Sequence, residues 1–325
     1  MRTHLNLLQT RHGVCLAGGF TSLALLAMSA RAQLNDFRNT VGDQIQAATI
    51  LGGDFGVSGA TFTGDNGTTL DLQKFGGSGV VGDPQQMWDW PIGWQPQVQG
   101  SMGYLSSKRD FNSGVLEGAE IKDHDFSIQF GGGARFWFNN NFSIAPTFMG
   151  MYGHTDNTLY PNDNIFAQAN QPAAKAAGLV DFTADTWTIR PALDINYIYT
   201  WRRTIFTLSS DPTYFHTESF STSNPNVSVN GDSETLMNKL DVDVPLGKDI
   251  WGHELRTGGF ISRTEFYGDI KDGLDTDHLY ELHGRLTLDF LNQLWKVQWI
   301  GIGYSYLWGS NFTGYSIGAD IQFRF

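Results

Sequence analysis

Glu281 and His283 stand two residues apart, so on a strand they share one face. A carboxylate beside an imidazole can seat a metal ion or act as an acid–base pair. No third partner is identifiable for either role. A second group comprises Asp123 and Asp125 with Asp275, Asp277 and His278. Paired acids and an Asp–His dyad could activate water against a peptide bond, or simply face solvent. Acidic loops of this kind can also bind calcium. The runs Gly131–Gly133 and Gly301-Ile302-Gly303 lack the strand–loop–helix setting of a phosphate loop and read as wall glycines. No His has a Ser two residues away on an outward stripe, so the His–Ser arrangement of an outer-membrane phospholipase or lipid A deacylase is missing. No catalytic, cofactor-binding or metal-binding residue is assigned, and no cofactor is expected.

The elements that would position these residues are strands. Ten segments after Trp94 alternate apolar and polar residues at about the 9–11 residue length that a tilted membrane strand needs. Gln97–Arg109 is the least regular. His124–Phe138 sets Phe126, Ile128, Phe130, Ala134, Phe136 and Phe138 against Gln129 and Arg135. In Phe142–Gly153, Phe142, Ile144, Phe148 and Tyr152 oppose Ser143, Thr147 and Gly153. Asp185–Trp201 directs Trp187, Ile189, Leu193, Ile195, Tyr197, Tyr199 and Trp201 outward, and Arg190, Asp194 and Asn196 inward. Thr204–Phe215 is shorter, with a mixed inner face. Leu236–Leu246 sets Leu240, Val242 and Val244 against Lys239, Asp241 and Asp243. His253–Tyr267 needs a bulge, placed at Gly258-Gly259, to keep Leu255 and Phe260 on one side. Leu279–Leu291 shows Leu282, Leu286, Leu288 and Phe290 opposite Glu281, His283, Arg285, Thr287 and Asp289. Val297–Trp308 and Phe312–Phe325 complete the set. Prolines 146 and 191 inside two strands argue against the reading, because each removes a ladder donor.

Composition is consistent with this. The chain has 38 Gly, 23 Phe, 11 Tyr and 10 Trp among 325 residues, with a mean hydropathy of −0.25. No stretch after Met28 is long and apolar enough for a membrane helix, but a barrel escapes that test because only alternate residues face lipid. Trp187, Tyr199, Trp201, Trp299, Tyr306, Trp308 and Tyr315 crowd the strand ends, where rings favour a membrane–water boundary.

Connection lengths sort by side. Asn139–Asn141, Arg202-Arg203, Gly247–Gly252 and Asn292–Leu294 are short and alternate with long stretches near 110–123, 154–184, 216–235 and 268–278. Gly309–Asn311 is the exception. Short turns facing the periplasm and long loops facing outward suit a bacterial outer-membrane barrel.

The amino terminus reads as a secretory signal over residues 1–32: Arg2 and Arg11, the apolar stretch Val14–Met28, then Ala30-Arg31-Ala32 with cleavage expected before Gln33. Cys15, the single cysteine, falls inside it, so the mature chain can form no disulfide. Removing the signal leaves 18 basic against 33 acidic residues, a net charge of −15, too acidic for a nucleic-acid partner. Residues 33–94 are read as a helix and hairpin segment. Asp36–Ala48, with Phe37, Val41 and Ile45 spaced by four, predicts a short amphipathic helix. Thr61–Thr63 and Thr68–Phe75 flank the tight-turn sequence Asp65-Asn66-Gly67. Residues 95–325 form the barrel, with ten strands, or twelve when that hairpin joins; twelve is favoured.

The closing segment alternates to its end, with Tyr315, Ile317, Ala319, Ile321, Phe323 and Phe325 on one face and Ser316, Gly318, Asp320, Gln322 and Arg324 on the other. This resembles the last strand of bacterial outer-membrane barrels, which the barrel-assembly machinery reads. Leu240–Leu246, Phe266-Tyr267-Gly268-Asp269, His278–Glu281 with Gly284, Gly303–Tyr306 with Trp308, and Phe312–Tyr315 together resemble the solitary autotransporter-like outer-membrane β-barrel family. The resemblance implies a twelve-stranded barrel like an autotransporter translocator, with a helix in the lumen, no passenger domain and no established catalytic residues. Its implied partners are outer-membrane lipid, lipopolysaccharide and the assembly machinery, in the outer membrane of a Gram-negative bacterium, with a structural or small-solute passage role. The alternative is a surface-exposed hydrolase, comparable to the omptin-type proteases that use rim acids and an Asp–His dyad. Inward positions carry Arg135, Arg190, Lys239, Arg256, Arg285 and Arg324 against Asp194, Asp241, Asp243, Glu281, Asp289 and Asp320. That balance predicts a lumen braced by paired charges.

Overall fold

The computed structural model describes residues 57–64, 68–82, 85–87, 92–110, 117–290 and 297–323. The expected signal, the helix at 36–48, Arg324 and Phe325 lie outside them. Twelve strands close one antiparallel ring: β1 Val57–Gly64, β2 Thr68–Val80, β3 Gly93–Asp110, β4 Glu120–Trp137, β5 Phe142–Tyr160 and β6 Phe182–Trp201. They continue as β7 Thr204–Thr222, β8 Asn230–Ile250, β9 His253–Gly268, β10 His278–Asp289, β11 Val297–Gly309 and β12 Phe312–Phe323. Each strand pairs with its neighbours in sequence. The hairpin β1–β2 closes the circle, with β1 on β12 and β2 on β3. The hairpin of residues 61–75 therefore belongs to the wall, and the count is twelve. Gln85–Gln86 adds a two-residue bridge to the start of β3.

The strands run well beyond the predicted segments. β7 continues to Thr222 rather than ending near Phe215, and β5 to Tyr160, so much of what the sequence suggested as loop is wall. Two helices occupy the long connections: α1, Ile165–Ala176, and α2, Asp269–Leu274. Asn164 caps α1 by accepting from the Ala167 amide at 2.7 Å. The short turn between β11 and β12 lies at the same end. It braces the loop after α2, where Ser310 Oγ donates to Asp277 at 2.9 Å and Asn311 Nδ2 to the Asp275 carbonyl at 2.6 Å.

Alternation sorts side chains by face. Phe130, Phe148, Leu208, Leu282, Ile302 and Ile317 are exposed outward, each by more than half of its surface. So wide an apolar belt calls for a lipid or protein covering. Inward positions on the same strands are buried and mostly polar: Gln129, Thr147, Thr188, Ser209 and Ser305. Pro146 and Pro191 stay in the wall by interrupting the ladder locally. Pairing of β4 with β5 skips from Gly133↔Thr147 to Phe136↔Ile144, and that of β6 with β7 from Ile189↔His216 to Ala192↔Thr213.

Two expectations are corrected. The irregularity in the β8–β9 pairing falls between Leu255 and Arg256, which face Lys248 and Pro245, so the extra residues lie at Leu246-Gly247. The register is unbroken through Gly258-Gly259, and Phe260 therefore points into the lumen, where it stacks on His283 at 4.7 Å between ring centroids. Trp299 is also not a boundary ring: it lies beneath the inward Arg285 guanidinium, 5.6 Å from its centroid.

Candidate functional site: the lumen and the two rims

Small residues decide how the lumen charges meet. Arg135 on β4 reaches across β5 to Asp194 on β6 at 2.5 Å. The β5 residue facing Asp194 is Ala145, whose side chain is short enough to lie beneath the bridge. The same device recurs opposite. Arg285 on β10 crosses β9 to grip Asp241 on β8 through two bonds of 2.6 and 2.7 Å. The residue underneath is Gly258, where a Cβ would stand 3.2 Å from the guanidinium. Arg190 on β6 crosses Met149 to donate to Gln129 on β4 at 3.2 Å. Each arm ties strand n to strand n + 2, adding stiffness that nearest-neighbour ladders do not supply. Arg256 joins Asp243 at 2.5 Å and Glu254 at 3.2 Å, and Glu254 also receives Arg203. Three of the expected acid–base pairs thus form. Arg190 instead meets an amide, and Lys239 lies over the Phe260 ring at 5.3 Å. Glu281 accepts from Ser305 Oγ at 2.6 Å.

Glu281 and His283 do share a face, with Ser305 between them. His283 Nδ1 lies 2.8 Å from Ser305 Oγ. A nucleophilic serine must give its proton to the imidazole, with the acid on the far side of that ring. Here the hydroxyl proton goes to Glu281, so His283 donates and the serine is not activated. Among the described residues no group of three or more His, Cys, Asp or Glu could hold a metal ion.

The rim acids divide likewise. Asp125 is buried inside the wall and accepts from Thr155 at 2.5 Å; Asp123 accepts from Ser107 at 2.8 Å and Asn157 at 2.5 Å. Asp277 bonds His278 Nδ1 at 2.6 Å, and the Ser310 hydroxyl and His278 hold its carboxyl below the usual range. His278 belongs to the outward stripe of β10, stacked edge-on against Tyr280. Strand β10 stands half-way round the ring from β4. His278 therefore points out of the wall half-way round the ring from Asp123 and Asp125, and the Asp–His pair does not meet the paired acids.

No sequence pattern signalled the apolar layer across the lumen near the long-loop end. Phe62, Leu72, Leu105 and Leu307 pack with Leu70 and Leu279. Leu279 also joins Phe215, Phe266, Ile270 and Leu274. Gly314 makes room for it, since a Cβ there would stand 2.5 Å from the Phe62 ring. Helix α2 contributes Ile270, which has no accessible surface, and fastens it by donating its amide to Ser233 Oγ at 2.8 Å. Burial pushes the carboxyl of Asp269 on this helix above its ordinary range. Other inward residues, such as Ser127, Met149, Thr188 and Thr217, are almost wholly inaccessible.

A family model described as the solitary outer membrane autotransporter beta-barrel domain matches residues 86–318. The chain belongs to that family. The match begins at Gln86 and runs to Gly318 in β12. Solved structures with a similar course include the β domain of the Bordetella autotransporter BrkA, at 11% identity over 82% of this chain and 100% of that one, TM-score 0.49. The transport unit of AIDA-I from Escherichia coli aligns at 9% identity over 82% and 88%, TM-score 0.49. The translocator domain of NalP from Neisseria meningitidis aligns at 11% over 94% and 99%, TM-score 0.45. No curated protein matches the chain.

Proposed function

We propose that this solitary autotransporter barrel is a non-enzymatic wall protein of the Gram-negative outer membrane, with its lumen closed at rest. It would be exported by its signal and assembled through its last strand. Its role is structural or the intermittent passage of small solutes. The observation that carries this is the burial of inward residues: Ser127, Met149, Thr188 and Thr217, which would line a pore, have almost no accessible surface. A water-filled channel leaves such residues wet. The short-turn end would face the periplasm and the apolar layer the cell exterior.

Single-channel recording of the refolded protein tests the reading. Low or intermittent conductance is expected, rising when residues 33–48 are removed. A large steady conductance in the intact protein would make it an open porin. The surface-protease alternative predicts peptide cleavage by cells displaying the protein, abolished by Asp277→Asn or His278→Ala without loss of assembly. Reproducible cleavage lost in those variants would overturn the non-enzymatic assignment.

A further inference from the structure

Four histidines on the outside of the wall share one arrangement. His124, His154, His216 and His278 each lie two residues beyond an outward aromatic, Phe126, Tyr152, Tyr214 and Tyr280, towards the long-loop end of the strand. Each stands directly across from a carboxylate on the adjacent strand: Asp156, Asp185, Asp232 and Glu265 in turn. His154 Nδ1 is 2.7 Å from Asp185, which also accepts from the Tyr152 hydroxyl at 2.7 Å. His216 Nδ1 is 2.8 Å from Asp232, which also takes the Tyr214 hydroxyl. His124 Nδ1 meets the Tyr104 hydroxyl at 2.6 Å, and His278 bonds Asp277. The other two described histidines, His253 and His283, lie elsewhere, at a turn and in the lumen.

The position says what surrounds them. An apolar belt ends in aromatic rings at the membrane–water boundary, so groups one step further out lie level with lipid headgroups. We propose that this band is a pH-dependent contact surface for the phosphates of the lipids encircling the barrel. The proposal rests on the outer-membrane reading above. With neutral imidazoles Asp156, Asp185 and Asp232 repel phosphate, while Glu265 is already matched by Arg263. A protonated imidazole cancels the facing acid and offers an N–H to a phosphate oxygen. Other charges face each site. Lys122, tied to Glu120, is next to His124 on β4; Asp156 is next to His154 on the adjoining β4–β5 edge. Glu218 and Glu234 flank His216; Arg263, bridged to Glu265, and Asp277 flank His278. Apart from Lys122, Arg263 and Lys108 on β3, all three already matched to acids, these neighbours are acidic, so only the imidazoles can reverse the local sign.

The intact protein would be inserted into phosphatidylcholine vesicles carrying brominated phosphatidylglycerol, whose charge stays constant over the range. Quenching of tryptophan, including Trp187 at 5.8 Å from the His216 ring, reports lipid contact. Preference for the anionic lipid should rise about three-fold between about pH 8 and about pH 5.5, spanning the imidazole range. It should stay flat when all four histidines are changed to Gln. Changing Asp156, Asp185 and Asp232 to Asn and Glu265 to Gln should give the high preference already at the alkaline end. No rise in the native protein, or a rise that survives the His→Gln changes, would overturn the proposal. Loss of the rise on adding free inorganic phosphate would also overturn it, assigning the band to a soluble anion. Absence of quenching even by brominated phosphatidylcholine would instead overturn the membrane reading, and this proposal with it.

Discussion

Ala145 and Gly258 do no chemistry, yet they decide whether Arg135 and Arg285 reach their acids two strands away. Ala145→Leu would fill the space under the first bridge and should cost about 1–3 kcal/mol, the usual toll of overpacking. Removing Asp194 alone should cost about 2 kcal/mol. That is below the figure for a fully buried pair, since a quarter of its side chain stays accessible. Urea unfolding of the refolded barrel measures both, and a double-mutant cycle with Arg135→Ala should show the two effects to be coupled. On the outward side, Ile317 is 63% exposed while Ser316 faces Ser305 inside the wall. Ile317→Arg should therefore destabilise by about 2–4 kcal/mol more than Ser316→Arg. Equal tolerance at the two sites would mean the faces are reversed.

At the scale of elements, alternation was legible because period two depends only on neighbouring residues. It gave the faces of β4, β5, β6, β10 and β12 without any knowledge of partners. Phe260 was misplaced for the same reason: a local pattern cannot say which strand of a pair holds the extra residue, and here β8 holds it. The apolar layer was hidden for a different reason. Its members sit one or two to a strand, so no window of sequence contains enough of them to register. Helix α2 is the element most exposed to test, because its six residues are held by Ile270, Leu274, the bond to Ser233 and the Asp232 amide donating to Asp269. Ile270→Asn should loosen it and raise the frequency of open events in single-channel recordings, with β-sheet circular dichroism unchanged. Unaltered conductance would show that the layer does not depend on α2.

For the whole molecule, the period-two pattern and the ordering of loop lengths together anticipated a closed ring, and the structure settles its count at twelve. The candidate site was less legible. Charge balance anticipated bracing, but which acid Arg135 and Arg285 take depends on strand n + 2, known only once the register is set. The molecule should show heat-modifiable migration and fractionate with outer membranes. Recovery as a soluble periplasmic protein would remove the barrel from the bilayer. Deleting Phe325 should lower the assembled yield and leave export intact.

The ladders of this ring are unequal. Strands β3 and β4 share eighteen paired positions, whereas β1 meets β12 over only eight, from Val57↔Ala319 to Gly64↔Phe312. Those eight join segments some 250 residues apart in the chain, while each of the other pairings links strands close in sequence or follows from such links. The entropy of closing so large a loop is largely met in advance once the intervening hairpins have formed. The circle must then be completed by this eight-position ladder, one of its two shortest. Assembly should accordingly wait, as an open and nearly finished sheet, on one brief encounter between its two ends, and the rate at which finished barrels accumulate should follow substitutions in β1 and β12 far more closely than equal changes in the long strands between them.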